Sequence, residues 1–123
     1  MGSRLRKGSL VSRPYVPDAG DLVWLTFDPQ SGREQRGRRP AIILSPKLFN
    51  ARSELAVVCP ITSKVKGRQF EVPIPPGGRI EGAILPHHLK SLDWKARKAQ
   101  LAGKLDEDTL QEVRERLRPL LGL

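Results

Sequence analysis

Leu22-Val23-Trp24-Leu25-Thr26-Phe27 and, thirteen residues later, Ala41-Ile42-Ile43-Leu44-Ser45 are the two runs whose reading decides the fold. Both are apolar at nearly every position and rich in β-branched and aromatic residues, as expected of strands covered on both faces. Pro29 stops the first, which reads as residues 21–27, while Pro40 and Pro46 bound the second at 41–45. The segment between them, 28–40, carries Arg33, Arg36, Arg38 and Arg39, with Glu34 as its only carboxylate after Asp28. It is longer than a hairpin needs, and connections of that length tend to be functional or disordered. Guanidiniums around one carboxylate suit a phosphate ester, although a solvated surface loop has the same composition.

Outward from this pair, residues 55–62 form a third strand in which Pro60 demands an edge or a bulge. Residues 69–74 alternate, with Phe70, Val72 and Ile74 on one face of a half-buried strand. Pro75-Pro76-Gly77-Gly78 is a turn, and 80–85 is a strand continuing past Pro86 into 89–92. Residues 46–54 read as one helical turn and a loop, and 94–104 as a turn followed by a short edge strand. Asp106 caps a final helix whose apolar stripe is Leu110, Val113 and Leu117, and Pro119 should end it near Arg118. The fold class is therefore α+β, mainly β: a small, strongly curved antiparallel sheet or half-open barrel with a C-terminal helix. Residues 1–14 read as a basic, mobile N-terminal segment and 15–123 as a single domain.

A chain of 123 residues has room for one core. Its net charge is +9 and its pI about 10.5. Residues 1–105 hold 19 Lys and Arg against 8 Asp and Glu, whereas 106–123 hold 3 against 5. The positive field thus belongs to the domain body, and it attracts polyanions. No run approaches the roughly twenty apolar residues that span a bilayer, and residues 1–14 lack the apolar stretch of a secretory signal. The single Cys59 excludes an internal disulfide and a cysteine-based metal site. His87 and His88 would point opposite ways on a strand and could not easily share a metal. The expectation is a cytosolic protein with no membrane association, no metal and no cofactor.

If the polyanion is RNA and is cut without a metal, the 2′-hydroxyl must lose a proton and attack phosphorus. The 5′-oxygen must gain a proton, and the phosphoryl oxygens need fixed donors. Arg39, at a strand start beside Pro40, is the best-placed cation, and Glu34 is the nearest base. Thr62, at the end of the third strand, can present a hydroxyl to a phosphate oxygen. Lys64, Lys66 and Arg68 can track a backbone. Plainer readings stand beside these. Arg33, Arg36 and Arg38 suit solvated charges, Thr62 a turn residue, and Glu34 a salt-bridge partner of an arginine. Trp24 reads as core, whereas Trp94 reads as half-exposed, able to stack a base or fill a dimer seam. The carboxylates at 106–108 read as a helix cap.

Gly20-Asp21-Leu22-Val23-Trp24, Asp28-Pro29 and Gly32-x-Glu34-Gln35-x-Gly37-x-Arg39-Pro40-Ala41 together resemble the MazF/PemK (Kid) family of toxins. Pro60-x-Thr62-Ser63, then Gly82 and His88-x-Lys90-Ser91-Leu92-Asp93, follow in the family's order. The resemblance covers residues 15–121. It implies an SH3-like half-open barrel and a homodimeric, ribosome-independent endoribonuclease that cuts single-stranded RNA without metal. The expected products are a 2′,3′-cyclic phosphate and a 5′-hydroxyl, and the expected partner is an acidic antitoxin with a partly disordered tail. By position it implies a catalytic arginine at Arg39, a catalytic threonine at Thr62 and the loop glutamate at Glu34. Gln35, Arg36, Ser63, Lys64, Lys66, Arg68 and His88 are the expected RNA contacts.

The chain departs from the family's pattern at His87-His88, where many members have a carboxylate followed by Gln, and at Leu85, where some have an arginine. An acid–base scheme built on that arginine–carboxylate pair does not transfer. His87 is the candidate replacement for proton transfer, with an ordinary pKa of about 6.5; the alternative is that it only contacts RNA or the dimer seam. A non-catalytic nucleic-acid binder or gyrase-poison-like toxin on the same fold is the second functional reading. The absence of an aromatic residue in Leu121-Gly122-Leu123 counts against the gyrase poison.

Overall fold

A computed structural model describes residues 14–27 and 37–123. Its elements are β1 (Asp21–Thr26), β2 (Arg38–Ile43), α1 (Lys47–Ser53), β3 (Leu55–Thr62), β4 (Val72–Pro73) and β5 (Ala83–Ile84). A 3-10 turn (Pro86–His88), β6 (Lys90–Asp93), β7 (Gln100–Lys104) and α2 (Glu107–Leu120) complete it. The seven strands form one curled antiparallel sheet in the order β4-β5-β3-β2-β1-β7, with β6 pairing to β3 off that path. This is the half-open barrel with a C-terminal helix that the residue pattern predicts.

Alternation along β1 and β2 feeds two cores. Leu22 and Ile42 are cross-strand partners on one face, with Ile61, Ile84 and the α2 stripe Leu110, Val113 and Leu117. Val23, Leu25, Ala41 and Ile43 point to the other face, where Val58, Leu92 and Trp94 join them. Asp106 caps α2, accepting from the Thr109 N–H at 3.0 Å. The helix runs on through Pro119 to Leu120 and does not stop at Arg118. Proline there removes only one hydrogen bond of the exposed last turn.

Pro60 lies inside β3, not at a free edge. Its carbonyl accepts from Leu85 N–H at 3.0 Å, so its ring nitrogen, on the same side, faces the space between two partner strands. On that side β6 pairs only through Val58, and β5 takes over at Ile61. The missing donor therefore costs no ladder bond.

Three other expectations are corrected. The strand expected over 69–74 shrinks to Val72–Pro73, leaving Phe70 in a turn and 38% exposed. The strand expected from Ile80 past Pro86 is broken by the 3-10 turn, which places the His87 and His88 rings edge to face at 4.4 Å. The two tryptophans exchange roles. Trp94 is 7% exposed and donates from Nε1 to the Asn50 carbonyl at 2.9 Å, while Trp24 is 37% exposed. Among the described residues no helix is long and apolar enough to cross a membrane.

A buried carboxylate ties β1 to β7. Asp21 accepts from the Tyr15 hydroxyl at 2.6 Å and from Asp18 N–H at 3.0 Å, and Lys104 Nζ lies 2.8 Å from its other oxygen. Burial and the Asp21 contact raise the Tyr15 pKa; the hydrogen bond to Asp21 raises that of Lys104. Both groups titrate higher folded than unfolded, so their stabilisation is complete below about pH 10 and is lost as pH rises through the folded values. Denaturant midpoints should therefore hold up to about pH 10 and fall progressively above it, and Tyr15→Phe should flatten part of that fall while costing about 1 kcal/mol at neutral pH.

Candidate nucleic-acid interface

β2 and β3 pair at Ile43↔Val58, Ile42↔Cys59 and Ala41↔Pro60, and their ladder stops there. Carried two residues further, that register sets Arg39 opposite Thr62. By then, however, β3 is pairing through Ile61 and Thr62 with Ile84 and Ala83 of β5. The sheet opens between the two residues into a groove of about 390 Å³. Arg39, Thr62, Ser63 and Lys64 line it, with Trp24, Pro40 and Ile61 forming its apolar floor. Arg79, Ile80 and Glu81 complete the wall; they were not singled out by the residue pattern, although Arg79 directly follows the Pro-Pro-Gly-Gly turn.

Adjacent arginines at the start of β2 do different work. Arg38 is not a solvated charge. Its guanidinium donates to Thr26 Oγ1 at 3.3 Å, to the Arg97 carbonyl at 3.3 Å and to the Lys98 carbonyl at 2.9 Å. It also donates to the Trp24 carbonyl at 3.4 Å and to Gln100 Oε1 at 3.3 Å. Arg39 is exposed, and its guanidinium makes no hydrogen bond or ion pair to another described residue. The result is a cation on a fixed backbone with donors available to an anion.

The Thr62 hydroxyl accepts from Lys64 N–H at 3.0 Å, which leaves its own hydrogen available to donate. Gly82 sets where Thr62 sits. At φ +127, a Cβ on Gly82 would lie 2.1 Å from the Thr62 carbonyl oxygen. The following loop is held by Glu71, a buried carboxylate whose Oε1 accepts from Lys66 N–H at 3.1 Å and Gly67 N–H at 3.0 Å. Neither Gly82 nor Glu71 was assigned a role from the residue pattern, because their importance lies in contacts distant in sequence or set by the loop's backbone.

Lys66 and Arg68 are exposed on that loop and do not line the groove. His87 and His88 also stand outside it; His87 packs edge-on against Phe70, with ring centroids 4.1 Å apart. Partial loss of solvent around the ring, then the neighbouring His88 and Arg68, lower the His87 pKa, while Glu71 opposes them. Its ring is therefore mostly neutral at neutral pH. Glu34, Gln35 and Arg36 lie outside the described residues. Among the described residues no three His, Cys, Asp or Glu side chains are grouped to hold a metal ion. Burial pushes the Cys59 thiol up to about 12, which makes it a packing residue at neutral pH. A more apolar cleft of about 310 Å³, lined by Tyr15, Val16, Trp94 and Ala99, contains none of the candidate residues.

The fold and site describe a small domain with a curled sheet and an open groove lined by Arg39, Thr62, Lys64 and Arg79. The family described as "PemK-like, MazF-like toxin of type II toxin-antitoxin system" matches residues 18–121, and the chain belongs to it. Endoribonuclease toxin MazF of Escherichia coli (strain K12) is 41% identical over 113 residues, 92% of this chain and 100% of that one. The crystal structure of MazF (Form-I) from Deinococcus radiodurans is 49% identical with a TM-score of 0.81, covering 89% of this chain and 100% of that chain. A MazE-MazF crystal structure (Form-II) from the same organism is 44% identical, also at a TM-score of 0.81, covering 89% and 99%.

Gly82→Ala should move Thr62 and cost about 2 kcal/mol, because both the positive φ and the carbonyl contact oppose a side chain. Gly78→Ala, with nothing within 4 Å of the added Cβ, should change neither stability nor the Thr62 amide resonance. Chemical denaturation and backbone NMR of the two variants measure both.

Proposed function

We propose that this chain is a toxin endoribonuclease cutting single-stranded RNA at short sequences, independently of ribosomes and of metal. The observation that carries the reading is the opposition of Arg39 and Thr62 across the gap where β2 and β3 part. The toxin domain spans residues 15–123.

The scissile phosphate sits between these two residues. Arg39 stays protonated at any ordinary pH, so it acts as fixed charge on the phosphorane and not as an acid or base. The Thr62 hydroxyl donates to a phosphoryl oxygen. The 2′-hydroxyl gives its proton to a base, its oxygen bonds to phosphorus, and the bond to the 5′-oxygen breaks. A proton returns to that leaving oxygen, so the products are a 2′,3′-cyclic phosphate and a 5′-hydroxyl. Glu34 is assigned as the base that takes the 2′-hydroxyl proton, and His87 as the proton-transfer group that, in its protonated form, returns one to the 5′-oxygen. Gln35, Arg36, Ser63, Lys64, Lys66, Arg68 and His88 contact the RNA on either side.

The protein acts in the cytoplasm as a homodimer; Leu48 and Phe49, exposed on α1, supply apolar surface for a second copy. An acidic antitoxin with a partly disordered tail occupies the same basic groove as RNA. Both should weaken with salt, and each should displace the other in a competition titration.

Incubated with mixed single-stranded RNA in EDTA, the protein should release discrete fragments with cyclic phosphate ends. Arg39→Ala should slow this by on the order of 10²–10³, and Thr62→Ala by a similar factor. Tight binding without cutting by the parent protein would favour a non-catalytic binder. For His87, the rate should fall as pH rises through a value below 6.5, since only the protonated ring can donate to the leaving oxygen. His87→Ala should lose that limb; if parent and variant profiles keep the same limbs, His87 transfers no proton.

A further inference from the structure

Phe70 is a large apolar side chain 38% exposed on an otherwise basic loop. It is not there through slackness. Glu71 and Val72, directly after it, are buried, and Glu71 pins the loop backbone through Lys66 and Gly67. Its ring meets His87 at 4.1 Å and 65°, and His87 meets His88 at 4.4 Å and 81°. His87 in turn follows the buried Pro86. Three exposed rings from two separate segments are thus held together on anchored backbone.

We propose that Phe70 and His87 form a stacking platform for a nucleobase of the bound RNA, beside the phosphate groove. The assignment rests on the endoribonuclease reading above. An edge-to-face pair uses one face of one ring, so flat surface remains open for a base. Arg68 and Lys66 flank the platform with positive charge, which suits a nucleic acid better than the core of a protein interface, where Lys is depleted. The loop that carries Phe70 begins at Ser63 and Lys64, which line the groove, so a strand leaving the Arg39–Thr62 site along this loop reaches the rings. Base–aromatic stacking contributes on the order of 5- to 100-fold in affinity per base. Phe70 is a specificity-determining residue in this scheme, not a catalytic one.

The test uses the full chain and an RNA made uncleavable by 2′-O-methylation, with binding read by fluorescence anisotropy. Phe70→Ala should weaken binding about tenfold, Phe70→Trp should restore it, and KM should rise with kcat retained on the cleavable RNA. Replacing one nucleotide at a time by an abasic unit should find a position at which the Phe70→Ala penalty vanishes. A penalty that persists at every abasic position would overturn the proposal. So would an effect that appears only as dissociation of the dimer in sedimentation, or as a shifted pH–rate profile with binding unchanged, since Phe70 would then merely position His87. The binding arm needs no cleavage, so a failure of the nuclease reading would show separately as fragments that survive Arg39→Ala.

Discussion

Near the end of β3, Pro60 can donate no hydrogen bond, and the pairing along one edge of the strand divides around that position. Before it the edge pairs with β6 through Val58; after it, with β5 from Ile61. On the opposite edge the ladder with β2 ends at Ala41↔Pro60, where the next residue of β2 is Pro40, which also has no N–H to donate. The groove thus opens where two prolines leave β3 without donors, Pro60 on one edge and Pro40 beside the other. Had β2 and β3 stayed paired to their ends, Arg39 and Thr62 would be ordinary cross-strand neighbours with no room for a phosphate between them.

The fold was legible to the extent that it depends on local periodicity and punctuation. The first three strands, the capped final helix and the half-open barrel follow from apolar runs bounded by Gly and Pro, and Arg39 and Thr62 stand at strand ends within a family motif. What misled was reading the apolar run 22–27 as buried throughout. Trp24 belongs to the same face as Leu22, but the α2 stripe covers only Leu22, and Trp24 continues past that cover into the groove. Trp94, between two charged residues, looked half-exposed because its cover comes from α1. Asn50 there is buried, donating to the Pro17 and Ser45 carbonyls and accepting from Ser45 Oγ through its side chain, while its backbone carbonyl takes the indole N–H. No period of 2 or 3.6 reports such a junction.

Phe70, Glu71 and Gly82 illustrate the same limit from the side of function. Alternation put Phe70 with Val72 on a buried face, but a two-residue strand has no room to continue that alternation. Glu71 reads as one more surface carboxylate until its two backbone partners are seen. Gly82 reads as one residue of the strand expected over 80–85 until the Thr62 carbonyl is found where its Cβ would be. Glu71 and Gly82 owe their places to backbone atoms and Phe70 to a ring on another segment, and none of these leaves a signature in composition.

The division of labour between Arg38 and Arg39 follows from the constraint at the start of β2. Adjacent residues on a strand project to opposite faces. Arg38 is drawn onto carbonyls of β1 and of the turn before β7, making five hydrogen bonds that lock the first residue of the strand. Arg39 inherits that rigidity at its Cα while keeping its own donors for an incoming group. A cation stabilises developing charge most effectively when the protein has already met the cost of holding it in place, because no reorganisation is then needed during reaction. A lone arginine on a free loop would have the same charge and less effect. On the proposed reading, Arg38 serves as the scaffold and Arg39 as the charge that meets the phosphate, so that loss of either guanidinium would weaken the site.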